Sequence, residues 1–454
     1  MNLYSHPRIY TVLKHLLDFQ MRLNAMNCYL CNMSKEKILS YFLIDVQRLK
    51  DKRYVMLYCG IGVFMIVYSI LNGMRIGPSS DFNVFWTAGK NFFNGVDLYS
   101  RIGGAERYIY PPFAAMLFQF FALFPLKVAA SIYTFINFLL FLLAISLSQN
   151  ILSRFISDSK KIKLVMFLGV AFSFRFFWYH TLFVQMNELM LVLCLASIVA
   201  SFQNKETKAS AYLVIAAFIK VLPVFFIPWL VLRSKPRIIL KLSMAAMLCL
   251  ALPIVFRGWN TGLHDLQNYY YTFLQPFKEG RVEPEFHNQS LAASIFKICL
   301  PSSAEPGFNY QLFRVSEAKA ALIYKFSFLG MAAAMMMFLL WERLVYKKNT
   351  LRGIAIVFIA MHLLSGITWE YHLVSLVLVY AIFALYYWQL KGIADKFFFY
   401  LISVFVVLFS FVGKDTVGNY LYHYLEGYSV VTWTLVLMFF YLLWRPTKEA
   451  EAKI

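Results

Sequence analysis

The feature that most constrains this chain is a series of apolar runs, each close to the roughly 20 residues that a helix needs to cross about 30 Å of hydrocarbon. They occupy residues 54–73, 128–148, 164–178, 184–201, 238–256, 320–341, 353–367, 372–388, 397–412 and 430–444. Within hydrocarbon, backbone N–H and C=O groups must be paired inside the protein, so such runs fold as helices. The expected fold is therefore an all-α polytopic integral membrane protein. With 60% hydrophobic and 15% charged residues, a soluble multidomain enzyme, a disordered chain and a secreted disulfide scaffold are excluded.

The formal net charge of +20, from 43 Lys plus Arg against 23 Asp plus Glu, does not form a nucleic-acid patch. The basic residues fall in short clusters between apolar runs, the pattern left when cytoplasmic loops retain positive charge. Two ambiguous pieces are resolved by that rule. If residues 113–124 lie in the interface and residues 209–232 form a hairpin with Lys220 at its tip, the clusters Arg154 to Lys163, Lys205/Lys208, Arg233 to Lys241, Arg343 to Arg352, Lys391/Lys396 and Arg445 to Lys453 all fall on the N-terminal side. About twelve spans follow, with both termini cytoplasmic. The expected organisation is a basic cytoplasmic segment 1–53, a transmembrane module 54–256 with a long first outer loop 74–127, a second outer loop 257–319, and C-terminal transmembrane helices 320–454.

The cysteines carry little chemistry. Cys59, Cys194 and Cys249 sit in apolar runs as small hydrophobes, and the Cys28/Cys31 CxxC has neither a second pair nor nearby histidines. No cleavable signal peptide is evident, and Met33 is an alternative start. No HExxH, P-loop or GxSxG motif occurs.

Under this topology the polar residues with chemical potential collect at one end of the spans. Asp81, beyond the first span and among aromatics, can serve as a proton acceptor in dehydrated surroundings, or as the N-cap of an interfacial helix. Lys220, in Ala-Ala-Phe-Ile-Lys-Val-Leu-Pro, is either an anion ligand or a side chain snorkelling to lipid phosphates; Arg175 is open to the same two readings. Trp369-Glu370-Tyr371-His372 forms a tight outer turn, where a histidine can donate to phosphate or hydroxyl and a tryptophan can stack on a sugar or sit in the aromatic belt. His287-Asn288-Gln289-Ser290 suits polyol recognition or helix capping. A transporter would instead gather polar groups near the midplane around an internal repeat, and none is visible.

Asp81-Phe82 with Trp86, Ala88, Gly95 and Leu98-Tyr99, then Tyr110-Pro111-Pro112, Gln185-x-Asn187, Ile219-Lys220 with Pro223, Asn288-Gln289-Ser290, and Trp369 with His372 occur in this order. Together they resemble the bacterial polyprenol-phosphate-mannose-dependent mannosyltransferases of the glycosyltransferase C superfamily. The chain departs from that family in having Val184 where Gly often precedes the Gln-x-Asn piece, and Tyr371-His372 in place of paired histidines.

The resemblance implies a multi-pass enzyme of the cytoplasmic (inner) membrane with its site on the extracytoplasmic side. A hexose, mannose or in related branches arabinofuranose, passes from a polyprenyl-phosphate donor to a glycan or glycolipid acceptor by an inverting single displacement. Asp81 is then the general base. Lys220, Arg175 and His372 bind the donor phosphate in place of a metal, with no cofactor required. Gln185, Asn187, His287, Asn288, Gln289, Trp369 and Glu370 orient sugar or acceptor. The implied partners are the lipid-phosphate sugar, the acceptor and membrane lipids, with no nucleic acid. A carrier or flippase for a lipid-linked saccharide, holding phosphate in the same cationic sites, and an assembly subunit without chemistry are the competing classes.

Overall fold

The structure, a computed structural model, describes residues 39, 42–43, 46–99, 107–279, 285–301, 308–346 and 350–445; the CxxC, Met33 and most of segment 1–53 lie outside them. The chain divides into two compact units, residues 1–62 and 63–454. All the regular secondary structure among the described residues is helical, with no strand. From the first unit into the second runs α1 (Lys52–Arg75). Then follow α2 (Asp81–Asn94), α3 (Pro112–Phe118), α4 (Leu126–Ser153), α5 (Ser159–Leu182), α6 (Asn187–Phe202), α7 (Glu206–Ile219), α8 (Phe226–Arg233) and α9 (Ile238–Arg257). The remaining helices are α10 (Trp259–Tyr269), α11 (Leu291–Cys299), α12 (Glu317–Trp341), α13 (Leu351–Leu363), α14 (Val377–Leu385), α15 (Gly392–Phe411), α16 (Lys414–Gly427) and α17 (Val430–Trp444).

Among the described residues seven helices are long and apolar enough to cross a membrane, or eight if the bent pair α16–α17 is one span. The sequence reading expects about twelve. The gap arises because several apolar runs are interrupted: α6 and α13 have 16 and 13 residues, and the Lys220 region is broken. At 1.5 Å per residue a 13-residue helix rises only about 20 Å. Such helices are stable because neighbours cover them. Every residue of α13 and of α14 is buried, as expected for helices apolar on all sides.

The hairpin at residues 209–232 is observed. α7 ends where Lys220 turns to extended backbone, and the chain returns through the 3₁₀ turn Leu222–Phe225 and α8. Glu206, the first residue of α7, accepts from Lys235 N at 3.3 Å, Arg237 Nε at 3.1 Å and Lys241 Nζ at 2.6 Å, all beyond the end of α8. Start and finish of the hairpin therefore lie together at one end of the bundle, and Lys220 lies at the other. Arg154 and Arg233 join the basic end by donating to Phe202 O and Ser201 Oγ.

The first outer loop is a folded layer. Ser80 caps α2 by accepting from Asn83 N, so Asp81 occupies the first helical position and its carboxylate is not used as the cap. Gly89 lets α2 approach α3: a Cβ there would lie 2.5 Å from the Phe118 carbonyl. Phe82, Phe85, Phe118 and Tyr133 fill the space between these helices and α4, each burial contributing about 1.5–3 kcal/mol. α3 has only seven residues, consistent with an interfacial position and not a span. Its partner from the second outer loop is Arg257, which donates to the carbonyls of Asn91 (2.8 Å), Phe92 (3.1 Å) and Val96 (2.8 Å) at the C-terminal end of α2. Both Asp265 oxygens accept from Arg257 at 2.8 and 3.1 Å, and neither side chain is more than 1% exposed. A buried pair holding helix-end carbonyls fixes the position from which Asp81 projects.

Candidate active site

Four short segments meet at the end of the bundle away from the basic clusters: the start of α2, the α5–α6 turn, the tip of the α7–α8 hairpin, and the 3₁₀ turn Glu370–Leu376. Asp81 Oδ2 accepts from Gln185 Nε2 at 2.5 Å and from the Tyr371 hydroxyl at 3.2 Å. Lys220 Nζ donates to Asn187 Oδ1 at 2.8 Å and lies 2.6 Å from His372 Nε2. The two charged residues are thus bridged twice. Gln185 and Asn187 serve one each, and so do Tyr371 and His372. Lys220 is only 8% exposed and stands 5.9 Å from the Tyr110 ring centroid. Burial, with Asp81 nearby, pushes the Tyr110 phenol above its ordinary range, so it stays neutral.

Local structure explains this convergence. The α5–α6 turn is tight: Val184 has φ 53°, a left-handed conformation that disfavours a β-branched residue by about 1–2 kcal/mol. Glycine before the Gln-x-Asn piece meets that need without strain, whereas here full burial of Val184 offsets it. His180 Nε2 then accepts from Asn187 N at 2.9 Å and Glu188 N at 3.4 Å, and Nδ1 pairs with Glu188, so a buried histidine caps α6 and aims Asn187. Asn137 Nδ2 donates to Gln185 O at 3.1 Å. His372 Nδ1 accepts from Trp369 N at 3.2 Å. In the neutral ring the proton therefore belongs on Nε2, facing Lys220.

The other site candidates are arranged differently. Arg175 is paired with Glu370, donates to Phe409 O at 2.6 Å and lies 3.7 Å from Glu426. Its charge is matched by acids beside the 3₁₀ turn. Asn288 is fully buried; Oδ1 accepts from Ser290 N and Thr368 N, and Nδ2 donates to Gly366 O. Gln289 Nε2 donates to Phe286 O, Glu426 O and Glu426 Oε2. Ser290 caps α11 by accepting from Ala293 N. Of the two readings of this motif, capping is what the geometry presents. His287 and Trp369 are partly exposed rings with centroids 6.4 Å apart.

Tyr371 and Glu426 were not singled out from sequence. Tyr371 had a signal, because it replaces one of two paired histidines next to His372. Glu426 had none, since only hydropathy distinguished the last spans. Among the described residues one cluster has metal-ligand geometry, Asp97, His264 and Asp265, with ligand atoms within 4.8 Å of one another. Arg257 already engages both Asp265 oxygens.

A family model described as glycosyltransferase family 87 matches residues 108–366, more than half of the chain. The chain belongs to glycosyltransferase family 87. It is accordingly an integral membrane glycosyltransferase. The match includes Arg175, Gln185, Asn187, Lys220 and the His287–Gln289 motif; Asp81 and the 369–372 turn flank it and join the site through the contacts above. Among curated proteins, none matches the chain.

Proposed function

We propose that the protein transfers a hexose, mannose in the first instance, from a polyprenyl-phosphate sugar to a glycan or glycolipid acceptor on the extracytoplasmic face of the cytoplasmic membrane. The observation that carries this reading is the double bridge between Asp81 and Lys220: a carboxylate and a cation held side by side by Gln185/Asn187 and Tyr371/His372. The basic clusters at the opposite end of the bundle support this choice of side.

In the reaction, the acceptor hydroxyl oxygen bonds to the anomeric carbon as that carbon's bond to the phosphate oxygen breaks. The hydroxyl proton passes to Asp81, and the polyprenyl phosphate leaves with one more negative charge. Gln185 and Tyr371 fix the carboxylate's orientation through Oδ2. Lys220, with His372 hydrogen-bonded at its side, supplies the cationic N–H groups that the developing phosphate charge requires. Arg175 acts through Glu370, holding the turn that carries Tyr371 and His372.

Purified protein given polyprenyl-phosphate-mannose and a glycolipid acceptor is expected to form a glycosidic bond inverted at the anomeric carbon relative to the donor. Retention of configuration contradicts the single displacement. Movement of intact donor across a bilayer without cleavage establishes the carrier instead.

A further inference from the structure

The end of the bundle opposite the candidate active site carries two guanidiniums that the proposed reaction does not use. Arg154 caps α4 and Arg233 closes α8, and both stack on Phe202 at the end of α6, with Cζ 5.4 and 4.3 Å from the ring centroid. They are close enough for their charges to repel. Among the described residues neither is paired with a carboxylate. Glu206, just beyond Phe202, is taken by Lys235 N, Arg237 and Lys241, and Glu342 acts on Arg233 only from beyond pairing distance.

Retention of positive charge on one side of a membrane explains why arginines occur at this end, and the C-terminus of α6 explains part of their placement. Arg154 donates to Phe202 O at 3.4 Å, and Arg233 donates to Ser201 Oγ at 2.8 Å and Ser201 O at 3.5 Å. That arrangement is still short of negative charge and of acceptors. A helix C-terminus offers about half an elementary charge against two full positive ones. Of the ten N–H groups that two guanidiniums carry, three are used in these bonds. Arg154 Nε is buried without an acceptor. So is the indole N–H of Trp229, whose ring lies 5.9 Å from Arg233 Cζ and 6.3 Å from the Phe202 ring. The unmet groups are donors, and what would satisfy them is a negatively charged acceptor.

The surroundings identify the anion. Arg154, Phe202 and Arg233 are all partly exposed, so their free edges can be reached from outside the bundle. Just past Arg237, α9 opens with Ile239 55% and Leu240 63% exposed, an apolar surface that acyl chains cover in a membrane. Lys205, Lys208 and Lys235 are exposed at the same end, as residues that meet water are. The negatively charged group found at such a boundary is a lipid phosphate. We infer that Arg154 and Arg233 bind the phosphate of an anionic phospholipid in the leaflet at the basic end of the bundle. A planar guanidinium can give two parallel hydrogen bonds to phosphate oxygens, and stacking on Phe202 holds both forks in orientation. Two cations call for net negative charge and not for a phosphate alone, which favours phosphatidylglycerol over zwitterionic phosphatidylcholine. The bound lipid then ties together the ends of α4, α6 and α8, at the base of the hairpin whose tip is Lys220. This site is independent of the proposed reaction.

The test is native mass spectrometry of the purified full-length protein, delipidated in detergent and titrated with phosphatidylglycerol, phosphatidylcholine or inorganic phosphate. The wild type is expected to hold phosphatidylglycerol about tenfold or more tighter than phosphatidylcholine. Arg154→Gln and Arg233→Gln should each weaken phosphatidylglycerol about tenfold while phosphatidylcholine changes little. Arg237→Gln removes an exposed cation at the same end and should leave the preference in place. Arg233→Lys keeps the charge without the planar fork and should fall between the wild type and Arg233→Gln. Thermal unfolding gives a second measure: phosphatidylglycerol should raise the midpoint of the wild type more than that of Arg233→Gln. Equal binding of the two lipids overturns the site, as does phosphatidylglycerol binding untouched by both glutamine variants. A loss in Arg237→Gln as large as in Arg233→Gln means diffuse attraction to the basic end and overturns it too. Inorganic phosphate that binds as tightly as the lipid and displaces it overturns the headgroup assignment.

Discussion

Gln185-x-Asn187 and Asn288-Gln289 look alike in sequence: each is a pair of amides at the end of an apolar run, and each resembles a motif of sugar-transferring enzymes. The structure separates them. In the first pair, Gln185 reaches the Asp81 carboxylate and Asn187 the Lys220 ammonium, with Asn187 also donating to the Tyr371 carbonyl at 3.3 Å. In the second, the bonds run mainly to backbone groups, with Gln289 also meeting the Glu426 carboxylate and the Thr432 hydroxyl, and they close one segment onto another. An amide whose partner is a charged side chain can exchange that bond for a substrate contact; one bonded mainly to carbonyls cannot be released without leaving them unpaired. On the proposed function the first pair serves the chemistry and the second the architecture.

Substitutions sharpen that division. Lys220→Met should have the largest effect, lowering transfer by about 10²–10³-fold and weakening donor use more than acceptor use, because it removes the cation that the proposed mechanism sets against the leaving phosphate. Steady-state kinetics with both substrates varied checks it; an unchanged donor dependence removes Lys220 from the phosphate site. Gln185→Ala and Asn187→Ala should each lower kcat/KM by about 10–100-fold, the worth of one hydrogen bond to a charged group, with little change in the unfolding midpoint. Gln289→Ala should reverse that pattern. It leaves two carbonyls and the Glu426 carboxylate short of a donor, costing about 1–3 kcal/mol of stability, while kcat per folded molecule on a short acceptor holds. Thermal unfolding in detergent, paired with active-site-normalised rates, distinguishes the two outcomes; a Gln289→Ala protein of normal stability and low kcat breaks the comparison. Val184→Gly should have the smallest effect, because relief of left-handed strain worth about 1 kcal/mol opposes the lost burial, and Gln185 keeps its position. A large loss of transfer there would mean that the valine side chain does more than fill space.

Much of the fold was legible because membrane burial acts on long stretches: apolar runs and basic clusters gave an all-helical membrane protein and the Lys220 hairpin, which Glu206 and its three basic partners display. The count of spans was less legible. Helices such as α13 are too short to cross alone and are stabilised by neighbours on every side, a property of packing and not of local hydropathy. In the site, Asp81 and Lys220 stood out because charge beside apolar sequence is costly unless it is used or paired. Arg175 met the same criterion, yet its partners Glu370 and Glu426 lie far along the chain, and no local pattern brings them together.

The most direct test is the single-turnover rate of sugar transfer from polyprenyl-phosphate-mannose by the purified wild-type protein and by Asp81→Asn, which keeps the shape and the hydrogen-bonding positions but cannot accept the proton. The account predicts a fall of about 10²–10⁴-fold with an unchanged unfolding midpoint. A folded Asp81→Asn protein that transfers at the wild-type rate contradicts it.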